Sequence, residues 1–151
     1  MTAEPTPREQ RILALDLGQA RIGVAVSDLL GWTARPVAII KARPTDKAVA
    51  RIKEFVKQYE VRTVVIGMPY NMDGTEGPQA TWTRQFGQRL ARAIKGVTIV
   101  YEDERLTTVE SDSLLMESGV RSRKRKERRD KIAAALILQS YLESQRSRPK
   151  K

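Results

Sequence analysis

Short apolar runs separated by Gly, Pro and polar residues dominate the first forty positions. Arg11-Ile12-Leu13-Ala14-Leu15-Asp16 is one such run and ends in an acid. Ile22-Gly23-Val24-Ala25-Val26-Ser27-Asp28 is a second. Their length and composition predict two strands. Gly18-Gln19-Ala20-Arg21 between them predicts a turn, with Gly supplying an unusual backbone geometry, so that the pair forms a hairpin. Trp32 to Ile40 predicts a third strand, and Pro36 argues for an edge position because it cannot donate to a ladder.

The period changes at Thr45-Asp46, a helix-start signal. Val49, Ile52, Phe55 and Val56 then recur at helical spacing. Val61 to Ile66 is continuous and β-branched, which predicts a buried, parallel strand. Gly67 to Pro78 is a loop rich in Gly, Pro and Asn; Gln79 to Ile94 predicts a second helix, ended by Gly96. Val97 to Tyr101 predicts a fifth strand. Thr107-Thr108-Val109-Glu110 resembles a capping box opening a third helix to Ser118, with Gly119 as its stop. Val120 to Arg129 is expected to be a basic loop, and Asp130 to Glu143 a final helix. The order β-β-β-α-β-α-β-α-α predicts an α/β fold with a mixed five-stranded sheet and helices on both faces. Residues 1–10 are expected to be a tail, 11–143 a single domain and 144–151 a basic tail.

Composition narrows the class. The chain has 151 residues, 40% hydrophobic and 30% charged, which fits one globular domain. Lys plus Arg number 28 against 18 for Asp plus Glu, a net +10 that attracts polyanions. No apolar run approaches a membrane span, and the N-terminus lacks the apolar core of a signal peptide. A cytoplasmic protein with a nucleic-acid partner and no membrane is the expectation. There is no Cys and no His. Thiolate chemistry and the commonest general base are thereby excluded, leaving carboxylates, hydroxyls, Lys and Arg to do any catalysis.

Against that basic background, Glu102, Asp103 and Glu104 follow the fifth strand directly. Functional groups of α/β sheets collect at the carboxyl ends of strands. Asp16 and the Asp103-Glu104 pair can therefore share one rim, and Asp130 can join them if the last helix crosses it. Oxygen-only donors suit Mg²⁺ or Mn²⁺, and two such ions can drive phosphodiester hydrolysis. Taken singly, each acid has a plainer explanation: Asp16 as a turn residue, Asp103 and Glu104 as solvated loop charges, Asp130 as a helix-start acid.

Four motifs carry a resemblance: "ALDLGQARIGVAVSD", "VVIGMPYNMDGTEGP", "DERLTT" and "RRDKIAAALILQSYL". In this order they resemble the YqgF/RuvX family, Holliday-junction-resolvase-like nucleases with an RNase H-like fold, over nearly everything from Arg11 to Leu142. The resemblance implies a bacterial, metal-dependent nuclease that matures the 5′ end of small-subunit ribosomal RNA, some members being described instead as resolving four-way DNA junctions. It places the family's acids on Asp16, Glu104 and Asp130, with Asp103 as a further metal-ligand candidate. Arg129 stands where the family pattern has a small apolar residue.

Residues 121–129 hold seven cations in nine positions: Arg121, Arg123, Lys124, Arg125, Lys126, Arg128 and Arg129. Like charges this dense repel unless a polyanion draws them together, so they are candidate phosphate contacts that position a nucleic acid without reading its sequence. Arg105 is a candidate clamp on the scissile phosphate or a partner of Asp103, and Asn71 a candidate cleft residue or part of a polar turn. Asp28 is expected in the turn before the third strand, and Thr107 and Thr108 in a helix cap. Aromatics are 5% of the chain, too few for a base-stacking platform. Structured RNA or branched DNA is the expected partner class, with a homodimer as an open expectation. Two rival functions remain. ATP phosphotransfer, suggested by the Asp-x-Gly hairpin, needs a second lobe for which 151 residues leave no room. A non-catalytic nucleic-acid-binding assembly factor would tolerate loss of the acids, and all three are present.

Overall fold

The computed structural model describes residues 10–104 and 122–147, with side chains of the last segment from Ile132 to Arg146. Alternation along the strands divides its core in two. Leu13, Leu15 and Leu17 of β1 (Ile12–Leu17) point to one side, with Ile22, Val24 and Val26 of β2 (Arg21–Ser27) and Val64 and Ile66 of β4 (Thr63–Met68). There they meet Ile52 and Phe55 of α1 (Thr45–Gln58) and Phe86 and Leu90 of α2 (Pro78–Ala93). The alternate residues Ala14, Ala25 and Val65 pack against Ala134, Ile137, Leu138 and Leu142 of the last helix, α3 (Ser122–Ser147). A period of two thus gives the sheet one face of large side chains and one of small ones.

Strand order is β3-β2-β1-β4-β5, with β3 at Ala34–Lys41 and β5 at Thr98–Asp103. β1, β2 and β3 form an antiparallel meander, while β4 runs parallel to β1 and β5 parallel to β4. This is the mixed five-stranded sheet with helices on both faces that the sequence predicts. β3 lies at an edge, as Pro36 requires, and the register slips beside it: Val24 faces Ala38 but Ala25 faces Pro36, leaving Val37 as the extra residue of a bulge.

The β1–β2 turn closes with Gly18 N–H donating to the Arg21 carbonyl at 2.9 Å. Gly is needed there because a Cβ would sit 2.6 Å from that same oxygen; close approach, not the expected unusual backbone angle, is the reason. Asp28 occupies the β2–β3 turn as expected, its carboxylate accepting from Trp32 N–H at 2.8 Å and Thr33 N–H at 3.4 Å.

One element departs from expectation. The basic segment expected as a loop to Arg129 is the first part of α3, which starts at Ser122 and runs to Ser147, past the expected end at Glu143. Arg, Lys and Glu are good helix formers, and no Gly or Pro interrupts 121–147, so charge density alone does not break the helix. Asp130 is consequently an interior helix position, not a helix-start acid. The expected helix at 107–118 lies outside the described residues. Among the described residues, no helix is long and apolar enough to cross a membrane.

The two-face core makes a stability prediction. Leu15, fully buried on the α1/α2 face, should cost about 2–5 kcal/mol when replaced by Ala. Leu30, 59% exposed in the β2–β3 turn, should change stability by no more than about 0.5 kcal/mol on the same replacement. Urea denaturation of the two variants measures the contrast.

Candidate active site

β1, β4 and β5 run parallel, so their carboxyl ends open on one rim, joined by the start of β2 and the end of β3. Asp16 stands on this rim, paired with Gly23 of β2. On its other side, Leu15 pairs with Ile66, which sets Asp16 level with Gly67 of β4, and Gly67 in turn pairs with Glu102 of β5. One row across the sheet therefore reads Gly23, Asp16, Gly67, Glu102. Asp16 shares the parity of Ala14 and so belongs to the small-residue face covered by α3.

Glycine on both sides of Asp16 leaves that face open at the rim. A Cβ added to Gly67 would lie 2.5 Å from Glu104 Oε2 and 2.5 Å from Ile137 Cδ1. Glu104 thus lies over Gly67, its own N–H reaching the Met68 carbonyl at 3.3 Å, and its carboxyl hydrogen-bonds that of Asp16. Burial first, then the charge of Asp16, the hydrogen bond with Asp16 and the charge of Asp103 push the Glu104 carboxyl up to about 8. Two like charges in contact cannot both ionise cheaply, so with no cation present one proton stays on the pair at neutral pH.

Strand parity separates the acids after β5. Glu102 and Glu104 share the α3 face and are half-buried; Asp103 is exposed and has the parity of Tyr101, which packs with the α1/α2 cluster. Asp103 therefore contributes charge to Glu104 from the other side of the strand. Glu102 is a site neighbour that sequence reasoning missed: Ser140 Oγ of α3 donates to its Oε1 at 3.5 Å. Counting back two residues from Glu104 along a strand would have found it. Gly67 was also missed as a site residue, although a glycine directly after a β-branched run is a known sign of close approach.

Asn71 follows β4 in a loop that folds on itself. Its Nδ2 donates to Thr75 Oγ1 at 2.9 Å, its N–H to the Thr75 carbonyl at 2.8 Å, and Gly74 N–H donates to its carbonyl at 2.8 Å. Arg84 of α2 grips Glu76 in the same loop through Nε at 2.6 Å and Nη2 at 2.8 Å, while its guanidinium stacks on Tyr101. Arg105 and Arg121 lie outside the described residues. Arg123, Lys124, Arg125, Lys126, Arg128, Arg129 and Asp130 occupy positions on α3 whose side chains lie outside them too. Among the described residues, no three acidic side chains form a group able to hold a metal ion.

The overall fold is similar to that of two solved structures. One is Thermus thermophilus RuvC in complex with a Holliday junction substrate: TM-score 0.54, 15% identity, covering 91% of this chain and 96% of that one. The other is the fowlpox virus Holliday junction resolvase: TM-score 0.55, 17% identity, covering 89% and 99%. At such low identity they establish the fold, which is RNase H-like. Sequence comparison goes further. A family model described as "RuvX: Holliday junction resolvase" matches residues 10–144, and the chain belongs to that family. Its relatives include proteins named "Putative pre-16S rRNA nuclease" from Lactococcus lactis, 44% identical over 136 residues (89% of this chain, 94% of the relative), and from Agathobacter rectalis, 47% identical over 136 residues (88% and 94%).

The raised Glu104 carboxyl makes the metal-free protein pH-sensitive. Its folded value lies above the ordinary 4.5, so the folded state holds a proton that the unfolded chain releases. Stability is fully present below about pH 4.5 and falls as pH rises through about 8. Unfolding in EDTA across this window should show that decline, and Glu104→Gln, which cannot ionise, should remove it. A decline of the same size in the variant would place its origin elsewhere.

Proposed function

We propose that the chain is a divalent-metal-dependent endonuclease that hydrolyses phosphodiester bonds in structured nucleic acid. The observation that carries this reading is the contact of Asp16 with Glu104 above Gly67, two carboxylates held together on a half-buried face at the carboxyl rim. Their donors are oxygen only and their repulsion is of the kind a hard dication relieves, which fits Mg²⁺ or Mn²⁺. Asp130 is the third ligand in this reading. It lies seven residues before Ile137 on α3, and a helical repeat returns to the same side after seven positions; Ile137 packs at Gly67. Asp103, on the opposite parity, is left outside the set.

Bound ions would supply a water acidic enough to attack and positive charge to stabilise the leaving oxygen. The chain's own residues do the rest. Asp16 and Glu104 give up their shared proton and fix the donor geometry, while Gly67 keeps the floor clear. The cations of 121–129, with Arg105 beside Glu104, bring backbone phosphates to the rim. Those at 123–125 stand in the first turn of a helix whose N-terminal end is already positive, an arrangement that costs stability unless an anion binds there.

For the substrate, the names of the relatives support precursor small-subunit ribosomal RNA; processing of its 5′ end in the cytoplasm is the form of that activity we propose. The family description favours a second reading, cleavage of four-way DNA junctions. Depleting the protein should accumulate small-subunit rRNA with an unprocessed 5′ end, and a copy carrying Asp16→Asn should not rescue it. Normal rRNA ends, together with symmetric cutting of a purified four-way junction, would reverse the order of the two.

The chemistry is tested separately. Asp16→Asn, Glu104→Gln and Asp130→Asn should each retain nucleic-acid binding. Each should lose cleavage by more than the ~10–100-fold that removing a ligand's supporting partner costs. Mg²⁺ or Mn²⁺ should support turnover, Ca²⁺ should bind without it, and EDTA should abolish it. Undiminished cleavage by folded Asp16→Asn protein, or full activity in excess EDTA, sinks the assignment.

A further inference from the structure

The active rim continues outward to the β3 edge, where a second charged feature lies. An open cavity of ≈ 390 Å³ is lined by Ile40 and Lys41 at the end of β3, by Arg43 and Pro44, and by Lys47, Ala48 and Arg51 of α1. Lys41, Arg43, Lys47 and Arg51 are all exposed, and no carboxylate lines the cavity. The two acids of α1 are Asp46, in its first turn but outside the lining, and Glu54, which pairs with Arg51 at 2.8 Å. That pairing, with Arg51 stacked on Phe55, anchors one guanidinium and leaves Lys41, Arg43 and Lys47 to face a ligand. The first turn of α1 forms part of the wall, and its cap residue, Pro44, makes no side-chain capping bond. Helix dipole and side-chain cations therefore favour the same sign of ligand.

Edge protection explains only part of this. A lysine on an edge strand guards against strand pairing, which accounts for Lys41. Arg43 and Lys47 lie beyond the strand and protect no edge.

Register fixes the distance to the acid pair. Asp16 pairs with Gly23, Gly23 with Ile39, and Arg21 with Lys41. Two strand spacings across and two residues along separate the backbones of Lys41 and Asp16 by roughly 12 Å within the sheet; the cavity opens on the α1 side of that edge and Asp16 on the α3 side. A few nucleotides of one strand, passing over the rim, can span that separation.

We propose that this cavity is a second phosphate-binding site, holding a backbone phosphate of the nucleic-acid strand a few nucleotides from the bond cut beside Asp16. The course of the strand rests on the nuclease reading; the anion binding does not. The same oxyanion chemistry would also admit free phosphate, and the experiment separates the two sources.

The test uses the full chain and the variant Lys41→Gln/Arg43→Gln/Lys47→Gln. In ¹⁵N spectra, a 5′-phosphorylated tetranucleotide should shift the Lys47 and Ala48 amides, and the variant should lose those shifts while its other amides stay in place. For a structured RNA or four-way DNA, the slope of log K against log salt should shrink by about 2 to 3 in the variant. Unmoved amides with an unchanged slope overturn the proposal. So does a response to sodium phosphate as strong as that to the tetranucleotide with the slope unchanged, which would mark a free-anion site. Both readouts are of binding, so they stand whether or not Asp16→Asn abolishes cleavage.

Discussion

A missing side chain at one position in the middle of the sheet decides whether the two acids can meet. β1 and β5 are separated by β4, so their backbones stand roughly 10 Å apart. Asp16 and Glu104 come from these two strands and still share a hydrogen bond. Their side chains can reach each other only by passing over the strand between them, and the residue there is Gly67. A methyl group on that residue would occupy the space of Glu104 Oε2 on one side and of Ile137 on the other. The same absence thus admits the second carboxylate and the last helix. The contact becomes unfavourable once both carboxyls ionise, and the parallel ladder of β1, β4 and β5 holds the two strands at that spacing.

The division of the core into two faces follows from the same need. Large side chains crowd the α1/α2 face, where Leu13, Leu15, Ile52, Ile66 and Leu90 are fully buried. Ala14, Ala25, Ala134 and Ala135 make the other face thin, which lets α3 lie close to the sheet. Stability is concentrated on the side away from the acids. The α3 side gives up apolar contact area and gains a helix that passes directly over the rim.

Much of this was legible in the chain because strands announce themselves by period. Apolar runs and Pro36 sufficed to predict five strands, their mixed directions and the edge position of β3. Asp16 and Glu104 were legible as rim residues because each ends a strand. Choosing between Asp103 and Glu104 required the register: parity along β5 puts Glu104 with Asp16 and turns Asp103 away, and parity is readable only once the strand's inward face is known. The length of α3 is less legible: a dense run of cations reads as a loop by charge repulsion, whereas backbone propensity carries the helix through it. The edge cavity was invisible because its residues come from a strand end, a linker and the first turns of a helix, and only folding brings them together.

Charge organises the molecule on two length scales. The net charge of +10 attracts polyanions from a distance, and on the proposed readings the cations of 121–129 and of the edge cavity hold them. At the centre the sign reverses. A phosphodiester arriving beside Asp16 and Glu104 meets carboxylates, and repulsion there opposes the attraction around it. On the proposed reading, cations bound between acids and phosphate turn that local repulsion into attraction. Each ligand then raises the affinity for the other by the same factor, as linkage requires. A strand bound without the cations would be held by the periphery alone, away from the carboxylates.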